Sequence, residues 1–215
     1  NNNFYPQSYS SIVASIFVGC CGFPVGRKKY YEVFRVVELQ ETFYNPPDID
    51  RLAKLRAEAP EDFMFTLKAW QAITHPPHSP TWKRSSFKPK EDQKDKYGYL
   101  KPTKEVFDAW ELTARAAKTL GARVVVLQMP PSFRATEENI RNAEEFFSIV
   151  EAKGFVIGLE VRGDWRQNLD KLRKLLEKYD HVIHVVDPFR ALPVIEHATT
   201  YFRLHGIGGG EVNYR

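Results

Sequence analysis

The stretch VIGLEVRGDW (residues 156–165) starts as a buried strand should, with apolar residues and one glycine, and then places Glu160 and Arg162 two positions apart. In an extended chain that spacing puts both side chains on one face. Charges of both signs at the end of an apolar strand are costly to bury unless something there uses or pairs them. Six other short runs share this form: SIFVGCCG (15–22), RVVELQET (35–42), FMFTLKAW (63–70), ARVVVLQMP (122–130), HVIHVVD (181–187) and TTYFRLHG (199–206). Between most of them lie patterns with apolar residues at helical spacing, at 48–59, 103–121, 136–154 and 168–180. Thr136 fits a helix start, and Gly121 and Gly154 fit helix stops.

Nearly continuous apolar strands alternating with helices predict an α/β fold with a parallel sheet covered on both faces. The choice is between an open doubly wound sheet and a barrel. Polar residues decide it. Glu38 and Gln40, Thr66 and Lys68, Gln128, Glu160 and Arg162, Asp187, and Arg203 and His205 all fall toward the C-terminal ends of their strands. An open sheet would gather such residues at one switch point, whereas a barrel carries its chemistry on the ends of several strands. The expected fold is therefore a TIM-type (β/α) barrel with at least seven parallel strands. No G-x-G-x-x-G fingerprint follows the first strand, and GIGGG (206–210) has no visible helix after it.

The 215 residues, 43% of them apolar, suit one domain, expected over 16–215 after an N-terminal arm at 1–15. The net charge of +4 favours an anionic ligand over a cationic one without implying nucleic acid. The adjacent Cys20 and Cys21 imply no disulfide framework, which points to a cytoplasmic protein. No apolar run approaches the roughly 18–20 residues of a membrane span, so no membrane partner is expected. The opening residues lack the basic region of a signal peptide.

The strand ends admit two readings. In one, Glu38, Glu160 and Asp187 neutralise Lys68, Arg162 and Arg203 as a buried structural network. In the other, the three cations and Gln128 grip an anionic substrate while the carboxylates act as base or metal ligands, with His205 or His75 as acid. A divalent metal would then fall to Glu38, Glu160, Asp187 or His205, although no spacing resembles a zinc signature. His181 and His184, three apart in a strand, face opposite ways. Cys20 and Cys21 read as small core residues before they read as nucleophiles. The insertion at 82–104 carries eight lysine and arginine side chains interleaved with Trp82, Phe87, Tyr97 and Tyr99. It reads either as a solvated loop or as a lid for a nucleic-acid or phosphate ligand.

The strings VGCCGF, VELQETFY, FTLKAWQAITH, LQMPPSF, LEVRGDW and YFRLHG occur in the order seen in the domain-of-unknown-function 72 (YecE-like) family, and the sequence resembles that family from about Gly19 to Gly206. The resemblance implies a TIM-barrel-like fold and no secure activity. It carries over to Gly19, Gly22, Glu38, Thr42, Phe43, Tyr44, Lys68, Thr74, His75, Gln128, Pro130, Pro131, Phe133, Glu160, Arg162, Trp165, Arg203, His205 and Gly206. Tyr44 and Trp165 join the substrate-binding candidates on this basis. The family's Thr-Ser of the first motif is Cys20-Cys21 here, its Asn-Ser of the second is Gln40-Glu41, and its Trp is Phe23. The family usually continues into an eighth βα unit, which this chain does not display. The expected function is a hydrolase acting on a phosphate-containing substrate, with phosphodiester cleavage as its nuclease form. A non-catalytic nucleic-acid or metabolite binder and a sugar-phosphate isomerase or lyase are the alternatives.

Overall fold

A computed structural model describes residues 14–206. Six strands form one parallel sheet in sequential order: β1 (Gly19–Cys21), β2 (Val36–Leu39), β3 (Met64–Lys68), β4 (Val124–Gln128), β5 (Val156–Glu160) and β6 (Val182–His184). The helices are α1 (Arg27–Val33), α2 (Glu41–Tyr44), α3 (Ile49–Glu58), α4 (Gln71–Thr74), α5 (Lys104–Leu120), α6 (Glu137–Ile149) and α7 (Leu169–Leu176). Three of the long helices begin where a side chain caps them: Asp48 accepts the Arg51 N–H, Thr103 that of Val106 and Thr136 that of Asn139. Gly121 closes α5 in the left-handed conformation its position requires. Gly154 stops nothing, because α6 already ends at Ile149, where Val150 turns extended.

The strand register sorts the sheet into two faces. Val37, Leu39, Phe65, Leu67, Val125, Leu127, Ile157, Leu159 and Val182 point outward and join the main core with Trp110, Phe146 and Leu172 from the helices. The alternate residues point inward: Glu38 pairs with Thr66, Thr66 with Val124, Val126 with Gly158, and Gly158 with Ile183. Val124, Val126 and Ile183 form a small second core there, with Tyr201 against it. A side chain at Gly158 would lie 2.5 Å from Val185 Cγ2 and 3.2 Å from Val124 Cγ1, so the inner face closes only around a glycine.

The sheet is strongly curled. Flat strands three apart are separated by about 14 Å, yet the one Arg203 guanidinium bonds Glu38 on β2 and Glu160 on β5.

The seventh expected strand is reduced to a single parallel bridge, Val186 to Phe202, with Arg203 N–H donating to Val186 O at 3.0 Å. The ladder stops because Asp187 ends its partner: its carboxylate takes the backbone N–H groups of Phe189 (3.0 Å) and His205 (3.2 Å). Most of the expected arm at 1–15 and all of GIGGG beyond Gly206 lie outside the described residues. No helix among the described residues is long and apolar enough to cross a membrane.

The lysine-rich insertion is folded. It makes two short 3-10 turns, Pro80–Arg84 and Glu91–Lys96, and buries Trp82, Tyr97 and Leu100. Phe87 packs edge-on against Trp70 at 5.2 Å. Gly98, Tyr99 and Leu100 are all left-handed, and their N–H groups donate in turn to the carbonyls of Ala72, Thr74 and Ile73. Two non-glycine residues in that region cost on the order of 1–2 kcal/mol each. The three bonds they make clamp α4 and, just after it, His75.

Candidate active site at the strand ends

Arg203 is the hub of the inner face. Its Nε and Nη2 donate to Glu38 Oε2 and Oε1 at 3.0 and 2.9 Å, a bidentate fork. Its Nη1 donates to Gln128 Oε1 at 3.1 Å and to Glu160 Oε2. Arg162 gives Nη2 and Nε to Glu160 Oε1 at 3.0 and 3.3 Å. All four charged residues are 8% exposed or less. Burial alone would raise the Glu160 carboxyl, but Arg203 and Arg162 outweigh it and hold it below the usual carboxylate range. Burial opposes charge on Arg203 too, yet Glu38 and Glu160 keep it firmly protonated.

Glu38 is further bound by Gln40 Nε2 and by the Tyr201 hydroxyl, the latter at 2.9 Å. Tyr201 lies 2.8 Å from Thr66 Oγ1 on β3. Tyr201 was not singled out in the sequence, although it shares the period-two phase of Arg203 and His205. Cys21 Sγ is 3.9 Å from Glu38 and 3.8 Å from Arg203. Burial and the Glu38 charge push its thiol up, the reverse of an activated nucleophile.

Lys68 stands apart from this network. It is 8% exposed; its backbone carbonyl accepts from Thr42 Oγ1 at 2.7 Å, but its ammonium makes no hydrogen bond or ion pair with any described residue. Its Nζ rests over the Phe43 ring, 3.6 Å from the centroid. Burial, then the nearby Arg203, lowers its ammonium to about 7, and Glu38 and Glu160 only partly restore it. His75 touches the same Phe43 edge-on at 5.0 Å, with Nδ1 2.8 Å from Thr74 Oγ1. Burial, then Lys68 and Arg162, drives His75 down to about 3, so it is a neutral imidazole.

His205 has ring nitrogens 3.6 Å from both Glu160 and Asp187, and burial lowers its pKa despite them. Asp187 also lies 3.4 Å from Arg190. A cleft between β5 and β6 is lined by Glu160, Arg162, His184, Asp187, Arg190 and His205. The six residues Glu38, Lys68, Glu160, Arg162, Arg203 and His205 thus meet at one end of the sheet.

Other candidates sit differently. The Trp165 indole is fully buried, stacked on Phe133 at 5.8 Å and donating to Phe133 O at 2.7 Å, and it lines the base of the cleft beside Glu160 and Arg162. Tyr44 lies under Arg84, which donates to its hydroxyl at 2.6 Å, away from the ion network. Among the described residues no three His, Cys, Asp or Glu side chains gather as metal ligands. The Arg203 cation lies between Glu38 and Glu160 and pairs with both.

A family model described as "Protein of unknown function DUF72" matches residues 26–215. No curated protein matches. A crystal structure of a DUF72 family protein from Enterococcus faecalis superimposes with a TM-score of 0.61 at 18% identity, over 88% of this chain and 73% of that one. A DUF72 family protein from Thermotoga maritima gives 0.50 at 24%, over 85% and 65%. At these identities the likeness concerns the fold alone.

Proposed function

The chain belongs to the DUF72 family, and from the geometry of its strand ends we propose that it is an enzyme on a TIM-type barrel acting on a small anionic, phosphate-containing substrate. Support for the barrel comes from the curl of the sheet. The segment after β6 reaches back through Tyr201 and Arg203 to β3 and β2, closing a ring around the inner face.

The observation that carries the substrate class is Lys68. Glu38 and Glu160 are saturated by Arg203 and Arg162, which leaves Lys68 as a buried amine without a carboxylate. Arg162 Nη1 makes no bond to a described residue, and the Arg162 charge is close enough to lower both Lys68 and His75. An anion seated there would supply the missing counter-charge. Glu160, held ionised by Arg203 and Arg162, would orient those cations in place of the expected base role, and His75 would serve as a neutral hydrogen-bond donor rather than the expected acid. Arg203, Arg162 and Lys68 would supply charge stabilisation.

Calorimetric titration of inorganic phosphate and a phosphate monoester above neutral pH tests this. Binding should be accompanied by proton uptake as Lys68 recharges, and Lys68→Met should abolish both. Absent binding, or binding indifferent to that substitution, would refute the reading.

The nucleic-acid form of this substrate has narrower support, because Trp82, Phe87 and Tyr97 are engaged in packing and Lys88, Lys94, Lys96, Lys101 and Lys104 bond within the insertion or to α5.

A further inference from the structure

We propose that Lys68 is a nucleophile, condensing with the carbonyl carbon of a small anionic aldehyde or ketone to form a Schiff base. The inference borrows from the preceding section only the docking of an anion and does not require phosphate.

The geometry is that of an activated amine rather than a structural one. A structural lysine at a strand end is paired or snorkels to water. Lys68 does neither. It is buried on the aromatic face of Phe43, and two guanidinium groups stand in the same mouth. Unlike Trp70 Nε1 and Gln71 Oε1 close by in the chain, Nζ is not sealed from solvent. An apolar floor and neighbouring cations are the two means by which proteins keep a lysine unprotonated and reactive. The charged groups facing it are Arg203, Glu38, Glu160 and Arg162, with the neutral His75 nearby, and burial with those four charges holds its pKa at about 7.

In the step, the amine lone pair attacks the carbonyl carbon and the C=O π pair moves to oxygen. One amine proton passes to that oxygen. The carbinolamine then expels it as water with the second amine proton, leaving C=N–Lys68. Arg162, whose Nη1 makes no bond to a described residue, would hold the substrate's anionic group. Glu38 and Glu160, both locked by arginine, take no part in bond making.

The test uses the full chain with two probes, pyridoxal 5′-phosphate and glyoxylate, each trapped by borohydride and located by peptide mass mapping. One adduct per chain is expected at Lys68. Its rate should be at least tenfold above that of the exposed Lys83 and Lys90, and half-maximal near pH 7. Lys68→Arg should remove the adduct. Should that variant not fold, mapping of the unaltered chain decides alone. Labelling of surface lysines with Lys68 untouched, or a Lys68 rate rising only near the pH of an ordinary lysine, would overturn the proposal. Phosphate binding without the adduct would sink the nucleophile and spare the phosphate reading; a Lys68 adduct without phosphate binding would do the opposite.

Discussion

On the outer face of the sheet Phe65, Leu67, Val125 and Leu127 pack against helices, and the one charge laid on them is the Arg56 guanidinium over the Phe65 ring. One residue along the same strands, Thr66, Lys68, Val126 and Gln128 face inward, where a hydroxyl, an amine and an amide surround a core of a few valines and an isoleucine. The outer face gains stability roughly in proportion to the apolar area it removes from water. The inner face takes Glu38, Glu160, Arg162 and Arg203 out of water together, and such a network does little more than offset its own desolvation. A fold that carries both faces on one backbone has placed its stability and its chemistry in separate layers, two strand positions deep.

The comparison breaks most visibly under truncation. Trp110→Ala on the outer side and Arg203→Leu on the inner side should each cost about 3–5 kcal/mol in urea unfolding. Only the second should be recovered in large part by adding Glu38→Gln and Glu160→Gln, because its cost is the unpaired charge left behind. Equal failure of rescue on both sides would mean the inner network packs like a core.

Lys68→Met should move stability the other way. Because the folded protein holds Lys68 at about 7, against an ordinary 10.5, it binds fewer protons than the unfolded chain between those values. Stability is therefore complete above about pH 10.5, declines as pH falls toward 7 and is flat below. The substitution should raise the melting temperature at neutral pH by several degrees and flatten that slope. A smaller effect of the same sign concerns His75, held at about 3 against 6.5. Its contribution is present above pH 6.5 and lost as pH falls toward 3, so His75→Gln should make acid unfolding less steep. Smallest is Thr136→Ala at the α6 cap, about 1 kcal/mol, with no change in either pH profile.

Much of this arrangement was legible before any coordinates. Period-two alternation is fixed by strand geometry, so Glu160 with Arg162 and Arg203 with His205 could be assigned to common faces. Their phase relative to the strand ends pointed to one mouth. Partner choice could not be read, since it depends on how tightly the sheet curls: nothing in the sequence says that Arg203 takes Glu38 with one edge and Glu160 with the other. The isolation of Lys68 follows from those same choices and was equally invisible. The insertion at 82–104 looked open because its lysines dominate the composition, while Trp82, Phe87, Tyr97 and Leu100, its anchors, are few. The seventh strand was overextended because alternation continues through Leu204 after the pairing has ended at Asp187.

The left-handed turn at Gly98–Leu100 has a consequence for how this protein can vary. It fastens the far end of the insertion to α4, so the placement of His75 does not depend on the path the chain takes beyond the Phe87 anchor, from Lys90 to Asp95. Residues can be added or deleted along that path, and its charge rewritten, while the imidazole beside Lys68 stays where it is. The anchor separates a segment free to drift from a centre that cannot.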